Sequence, residues 1–266
     1  QMNIGLFVSI FYCPLKFTGV NSQAKGSAYL EYENTKVICS VFDPREIPNK
    51  NEFSPMGELY CEFKFAPFSC IKRRGHIRDA EEKELSFSLR RALEPAVCRH
   101  EFPNFQVDIY VYILDSDGSD LAAAITCASL ALADASVPMY DLVTGICSHL
   151  QFLDPTNEEE QLCKKTASAE SIDPQAVITL TYMSTLEQVS EFTISGTIGV
   201  NHLEDKIPAL IKHCNAIYPL LQQCLIKNYE NRSDEILKGL SLLCAVKNSE
   251  CKLINFSMKD CKEKGF

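Results

Sequence analysis

Apolar residues alternate strictly along "FQVDIYVYILD", with Phe105, Val107, Ile109, Val111 and Ile113 on one face. That period of two predicts a strand at the edge of a buried core. In "GSAYLEYENTKVICSVFDPRE" two apolar segments flank "ENT", which predicts a β-hairpin. "LYCEFKFAPF", Leu59 to Phe68, predicts a further strand, and the polar stretch 46–57 with two prolines reads as a surface loop. The period then changes. "RDAEEKELSFSLRRALEPAV" sets Leu85, Leu89, Leu93 and Val97 four residues apart behind Asp79 as N-cap, so an amphipathic helix is expected, tightened at its end by Pro95.

In "DSDGSDLAAAITCASLALADA" a glycine turn precedes a helix that is apolar round nearly its whole circumference from Leu121 to Ala135, so burial on several sides follows. "LVTGICSHLQFLD" to Asp154 predicts a strand, "PTNEEEQLCKKTASAESIDP" a polar loop, and "AVITLTYM" and "QVSEFTISG" a strand pair. A long helix over 202–228 carries Leu203, Ile207, Leu210, Ile211, Cys214, Ile217 and Leu221 on one stripe. This order describes one α+β domain over 24–228. Residues 1–23 form an atypical N-terminal segment. Residues 229–266 are an appendage with one short helical pattern, 235–246, and a lysine-rich end.

With 266 residues, 46 % of them hydrophobic, the chain can bury a large core. Its net charge of −9 and pI near 5.1 exclude a generally basic nucleic-acid coat and leave room for a local basic patch. The thirteen cysteines are odd in number, irregularly spaced and without a CxxC pair, and several fall in apolar runs, as Cys39, Cys127 and Cys147 do. They read as reduced core residues of a cytosolic or nuclear protein. The apolar run 4–12 lacks a basic flank and a cleavage site and is far short of a spanning helix, so an initial strand, and no membrane segment, is expected. The five histidines show no ligand spacing, and neither a P-loop nor a GxGxxG motif occurs, so no metal and no cofactor is expected.

"GSAYLEYENTKVICSVFDPRE", "LYCEFKFAPF", "DLAAAITCASLALADASVPMYDLV" and "FLDPTNEEE" stand in the order and with the gaps typical of the RNase PH family. The chain resembles that family over about 24–228, and within it the ring subunits of the eukaryotic RNA exosome. The resemblance implies a ribosomal-protein-S5-like fold of βαβα layers, duplicated within the chain, and six such chains closed into a ring around an RNA channel. It also implies other RNase PH-like subunits as ring partners, an S1-type cap protein above them, RNA as ligand, and a place in nucleus, nucleolus and cytoplasm.

Active members of the family attack RNA from its 3′ end with inorganic phosphate, which requires cationic donors and a carboxylic acid. Their pattern "DGGTRTAAITGA" is matched here by "DGSDLAAAITCA". Asp117 and Gly118 are kept, Ser119 replaces a glycine, Asp120 stands at the threonine, and Leu121 at the phosphate-binding arginine. Losing the guanidinium removes a contact of about 1.5–3 kcal/mol. A carboxylate about 5 Å from a phosphate charge repels it by roughly 3 kcal/mol at an effective dielectric near 20. The turn therefore reads as a degenerate phosphate site and a helix cap, in which Ser119 or Asp120 satisfies free N–H groups.

A second family arginine aligns at Phe87, with Arg90 and Arg91 nearby but out of place. The strand "AVITLTYM" has no carboxylate; Asp173 just before it is the one residue that a gapped alignment supplies, while Asp154 with Glu158 to Glu160 resembles the family's "LDPT…EE" segment and reads as structural. Ser195, Gly196 and Thr197 resemble a family turn and read as a strand end. "CIKRRGHIRD" gathers Lys72, Arg73, Arg74, His76 and Arg78 into a loop able to hold phosphates or a neighbouring subunit, with Arg90, Arg91, Arg99 and His100 as an extension.

The leading reading is a catalytically inert ring subunit that scaffolds the exosome and guides RNA for 3′-5′ processing, including rRNA maturation and mRNA turnover. The alternatives are an active phosphate-dependent exoribonuclease, using Asp173 or Asp154 as acid, and a secreted cysteine-rich binding protein.

Overall fold

The computed structural model describes residues 19–32, 34–47, 53–75, 77, 79–150, 176–198, 203–204 and 206–230. The backbone separates into a unit from Gln1 to Leu225 and a unit from Ile226 to Phe266; of the second, residues 226–230 are described and are helical.

In the first unit the predicted hairpin forms from β1 (Gly26–Tyr32) and β2 (Thr35–Glu46), paired antiparallel from Gly26↔Val41 to Tyr32↔Thr35. β3 (Glu58–Phe65) stops three residues before the predicted end, because Ala66 to Ser69 turn back on themselves through Ser69 N–H and Oγ donating to the Ala66 carbonyl. Helix α1 (Ala80–Leu93) follows, then β4 (Phe105–Asp115). β4 is interior to its sheet, whose order is β1-β2-β4-β3, with β3 parallel to it and β2 antiparallel. The alternation does mark a buried face at Val107, Ile109, Val111 and Ile113, whereas Phe105 at the strand's start is exposed.

Helix α2 (Asp120–Asp134) is buried at every position from Ala122 to Leu132, as its all-round apolar pattern requires. It is sandwiched between the first sheet and a second one made of β5 (Val143–Leu150), β6 (Ala176–Met183) and β7 (Gln188–Gly196), in the order β5-β6-β7. Gly145 makes the close approach possible: a Cβ there would lie 2.7 Å from the Ala122 carbonyl oxygen. The helix α3, residues 206–225 in this unit, lays Leu210, Cys214 and Leu221 inward, with Ile146, Ile178 and Leu180 of the second sheet beneath Leu210 and Cys214.

The layers are thus sheet, helices, sheet, helix, which is the expected α+β RNase PH-like build. The halves are unequal among the described residues, with four strands in one sheet and three in the other.

The helices also close sheet edges. Ser86 Oγ and Glu82 Oε1 of α1 accept from Phe63 N–H and Phe65 N–H of edge strand β3, each at 3.0 Å. Ser129 Oγ and Thr126 Oγ1 of α2 accept from Val143 N–H and Gly145 N–H of edge strand β5, each at 2.9 Å. Residues three or four apart on a helix share a face, so each pair reaches alternate amides of one strand. Glu82 also accepts from Asp79 N–H at 3.3 Å, confirming Asp79 as the N-cap of α1.

None of the described cysteines, from Cys39 to Cys224, is in a disulfide. Burial pushes the thiols of Cys61 and Cys127 up to about 12 and that of Cys214 to about 11, so they are inert core groups. Among the described residues no helix is long and apolar enough to cross a membrane.

Candidate functional site

The turn between β4 and α2 is held by the tip of the β1–β2 hairpin. Gly118 takes φ 94°, a conformation that glycine adopts without strain, and this lets the chain reverse out of β4 into the helix. Thr35 Oγ1 accepts from Asp117 N–H at 3.3 Å and lies 3.3 Å from Ser119 Oγ. Asn34 Nδ2 donates to Asp117 Oδ2 at 3.0 Å, and Ser116 N–H donates to the Ser69 carbonyl at 3.0 Å. The amides of residues 116 and 117 are therefore engaged with protein oxygens, where a phosphate-binding turn turns such groups toward its ligand.

The side chains oppose an anion as well. Asp120 Oδ2 accepts from Ser116 Oγ at 2.7 Å, Asp117 faces Asn34, and Asp115 draws Lys36 Nζ to 3.4 Å. Leu121 packs against the main core instead of presenting a charge. Three carboxylates thus flank the helix start, and the adjacent lysine is directed to one of them.

The hydroxyl expected to cap α2 serves another contact. Ser119 is the N-cap of α2 by position, and its carbonyl accepts the first helical bond from Ala123 N–H at 3.1 Å, but its hydroxyl makes no capping bond. It is buried against Thr35, so the hydroxyl was recruited by the hairpin rather than by the helix. Asp120 already lies inside the helix, where it complements the dipole. The 83- and 84-residue separations of Asn34–Asp117 and Thr35–Ser119 explain why no local pattern announced either contact.

The basic loop is only partly as read. Lys72 and Arg73 are exposed. Arg74 is not: its guanidinium lies 3.9 Å from the centre of the Phe65 ring, donates to Glu81 Oε2 at 2.9 Å, and reaches Cys70 Sγ at 3.3 Å. It clamps the loop to α1 instead of facing a ligand. His76 and Arg78 lie outside the described residues. Three residues of the extension of the patch have acidic partners. Arg91 pairs with Glu191 at 3.1 Å, Arg99 with Glu94, and His100 with Glu101 at 3.3 Å while stacking on Tyr140.

Phe87, at the position of the second family arginine, is 60 % exposed with the Arg91 guanidinium 5.8 Å from its ring. Gly196 ends β7 with φ 104°, in keeping with a strand end at Ser195 to Thr197. Asp154, Glu158 to Glu160 and Asp173 lie outside the described residues. A pair the sequence reading missed is Cys147 and His149, buried on one face of β5 with Sγ and Nε2 3.7 Å apart; the period of two was its only signal.

Comparison with known proteins agrees with the fold. Residues 15–138 match the profile of the 3′ exoribonuclease family, domain 1, the RNase PH domain. The exosome complex component MTR3 of Homo sapiens is 37 % identical over 234 residues, which span 80 % of this chain and 82 % of the relative. The mtr3 component of Schizosaccharomyces pombe is 32 % identical over 219 residues, 81 % and 83 % of the two chains. The resemblance of the chain to the mRNA transport regulator subunit of the exosome ring agrees with the relatives named MTR3. The Cenarchaeum symbiosum component Rrp41 is 31 % identical over 212 residues, 78 % and 83 % of the two chains. Among solved structures, rice (Oryza sativa) Rrp46 superposes with a TM-score of 0.62 at 21 % identity, covering 80 % of this chain and 93 % of that one. A chain of the Archaeoglobus fulgidus exosome with RNA bound to the active site gives 0.64 at 17 % identity, over 76 % and 85 %.

Proposed function

This chain belongs to the 3′ exoribonuclease (RNase PH) family, and from that premise we propose that it is a non-catalytic subunit of the RNA exosome ring. The relatives named as exosome components support the assembly. The β4–α2 turn supports the loss of catalysis: Leu121 and Asp120 replace the arginine and threonine of active members, and the amides of residues 116 and 117 are engaged inside the protein. That turn is the single observation that carries the inert reading.

In this role the subunit scaffolds the ring and guides RNA toward a separate nuclease in 3′-5′ processing and degradation, rRNA maturation and mRNA turnover among them. Its neighbours are other RNase PH-like subunits in a hetero-hexamer, with an S1-type cap protein above, and its sites of action are nucleus, nucleolus and cytoplasm. Exposed Lys72 and Arg73 offer phosphate contacts without sequence readout. Affinity purification of the full chain from its own cells, with protein identification, tests the assignment. Six ring proteins and three cap proteins are the expected set, and recovery of the chain without other RNase PH-like subunits overturns it.

A further inference from the structure

Helix α1 turns Leu89 and Leu93 into the core, so the residues on its far side should be polar. One is not. Phe87 is 60 % exposed and is the one large apolar side chain of α1 left in solvent. An apolar residue that breaks the helix pattern without joining the core points to a surface in use. Lys83, Phe87, Arg90 and Arg91 are spaced i, i+4, i+7 and i+8, so three cations share the face of this ring.

The three cations differ in what they can offer. The Arg91 guanidinium lies 5.8 Å from the ring centre and is neutralised by Glu191 at 3.1 Å, so it braces the ring instead of presenting a charge. Lys83 is exposed and Arg90 half-buried, and neither forms an ion pair with a described residue. Of the carboxylates nearby, Glu81 is engaged by Arg74, Glu82 by the Asp79 and Phe65 amides, and Glu94 by Arg99. That leaves Glu84 alone against Lys83 and Arg90, a positive face on a chain of net charge −9.

A single ring between cations suits one class of ligand. A protein interface needs a contiguous apolar centre, and α1 has no second exposed apolar side chain to build one. A base of a single strand needs only one aromatic face, with cations for the phosphates on either side of it. Bases inside a duplex hide their faces in the stack, which excludes double-stranded RNA. A phenyl ring holds no phosphate, so the contact differs in kind from that of the arginine that active members carry here.

We infer that Phe87 stacks on a base of single-stranded RNA while Lys83 and Arg90 hold the flanking phosphates. That the ligand is RNA rests on the exosome reading above; the stacking face rests on α1 alone.

The test uses the full chain purified in its complex and a single-stranded RNA carrying 5-iodouridine, which on irradiation crosslinks to an aromatic ring stacked on it. A crosslink mapped to Phe87 is expected. Phe87→Leu keeps apolar bulk and removes the aromatic face, so it should weaken RNA binding about tenfold, whereas Phe87→Trp should bind at least as well as the parent. Lys83→Ala with Arg90→Ala should reduce the salt dependence of binding by about two contacts. Because Phe87 is exposed, both of its variants should melt as the parent does and retain the same co-purifying proteins. The inference is overturned by a crosslink only at other residues, by equal binding of the parent and Phe87→Leu, or by a Phe87→Leu complex that loses a protein while holding RNA as before; each leaves the exosome reading standing. The Phe87 crosslink with the same Leu and Trp effects, in a chain recovered without RNase PH-like subunits, keeps the stacking face and overturns the exosome reading.

Discussion

The hydroxyl of Thr35 lies 3.3 Å from that of Ser119 and accepts the Asp117 amide at 3.3 Å, which fastens the tip of the β1–β2 hairpin to the start of α2. The residue that fixes the shape of the turn thus belongs to a hairpin far away in sequence. Thr35 is fully buried, so replacing its hydroxyl with a methyl leaves the Asp117 amide without that acceptor. Thr35→Val should cost about 1–3 kcal/mol, and Thr35→Ser much less. Urea unfolding of the three proteins checks this; equal midpoints for Val and Thr would show that the contact holds nothing.

Two neighbouring arginines should behave differently. Arg74→Ala removes the Phe65 ring contact and the Glu81 bond, and should lower stability by about 1–2 kcal/mol. Arg73→Ala, at an exposed position, should change stability by less than about 0.5 kcal/mol. Lys72→Ala with Arg73→Ala should instead flatten the salt dependence of RNA binding to the assembled complex by roughly two contacts. Thermal melts and binding titrations at several salt concentrations separate the two effects.

This contrast shows where sequence reading stops. Period two in β4 and the all-apolar circumference of α2 were legible because burial writes itself into local pattern. The degenerate turn was legible too, since Asp120 and Leu121 stand at fixed places in a motif. Arg74 was not, because in "KRRG" nothing local distinguishes an arginine that faces solvent from one that lies on Phe65. The role of Ser119 is hidden for the same reason: a serine before a helix is a good cap unless another hydroxyl claims it, and Thr35 is 84 residues away.

Restoring the family residues at the turn alone should fail to restore catalysis. Asp120→Thr with Leu121→Arg returns one cation, while Phe87 still occupies the position of the second and the amides of residues 116 and 117 remain bonded within the protein. Phosphate-dependent release of nucleoside diphosphates by the double variant would show that the remainder of the site is intact.

The buried thiols make stability depend on pH at the alkaline end. Desolvation raises Cys61 and Cys127 to about 12 from an ordinary 9.0, so the folded state holds protons that the unfolded chain releases. Their contribution is fully present below pH 9 and is lost as pH rises from 9 toward 12, at up to about 1.4 kcal/mol per pH unit for each thiol. Cys127→Ala should show a shallower loss of urea midpoint between pH 9 and 10.5 than the parent. An unchanged slope would place the alkaline sensitivity elsewhere.

The central claim is that the β4–α2 turn has given up phosphate, and the most direct measurement is phosphorolysis by the purified chain. Incubated with a 3′-extended RNA and inorganic phosphate, it should release no nucleoside diphosphates above background. Phosphate-dependent release of nucleoside diphosphates that disappears on changing Asp173 or Asp154 would contradict the account.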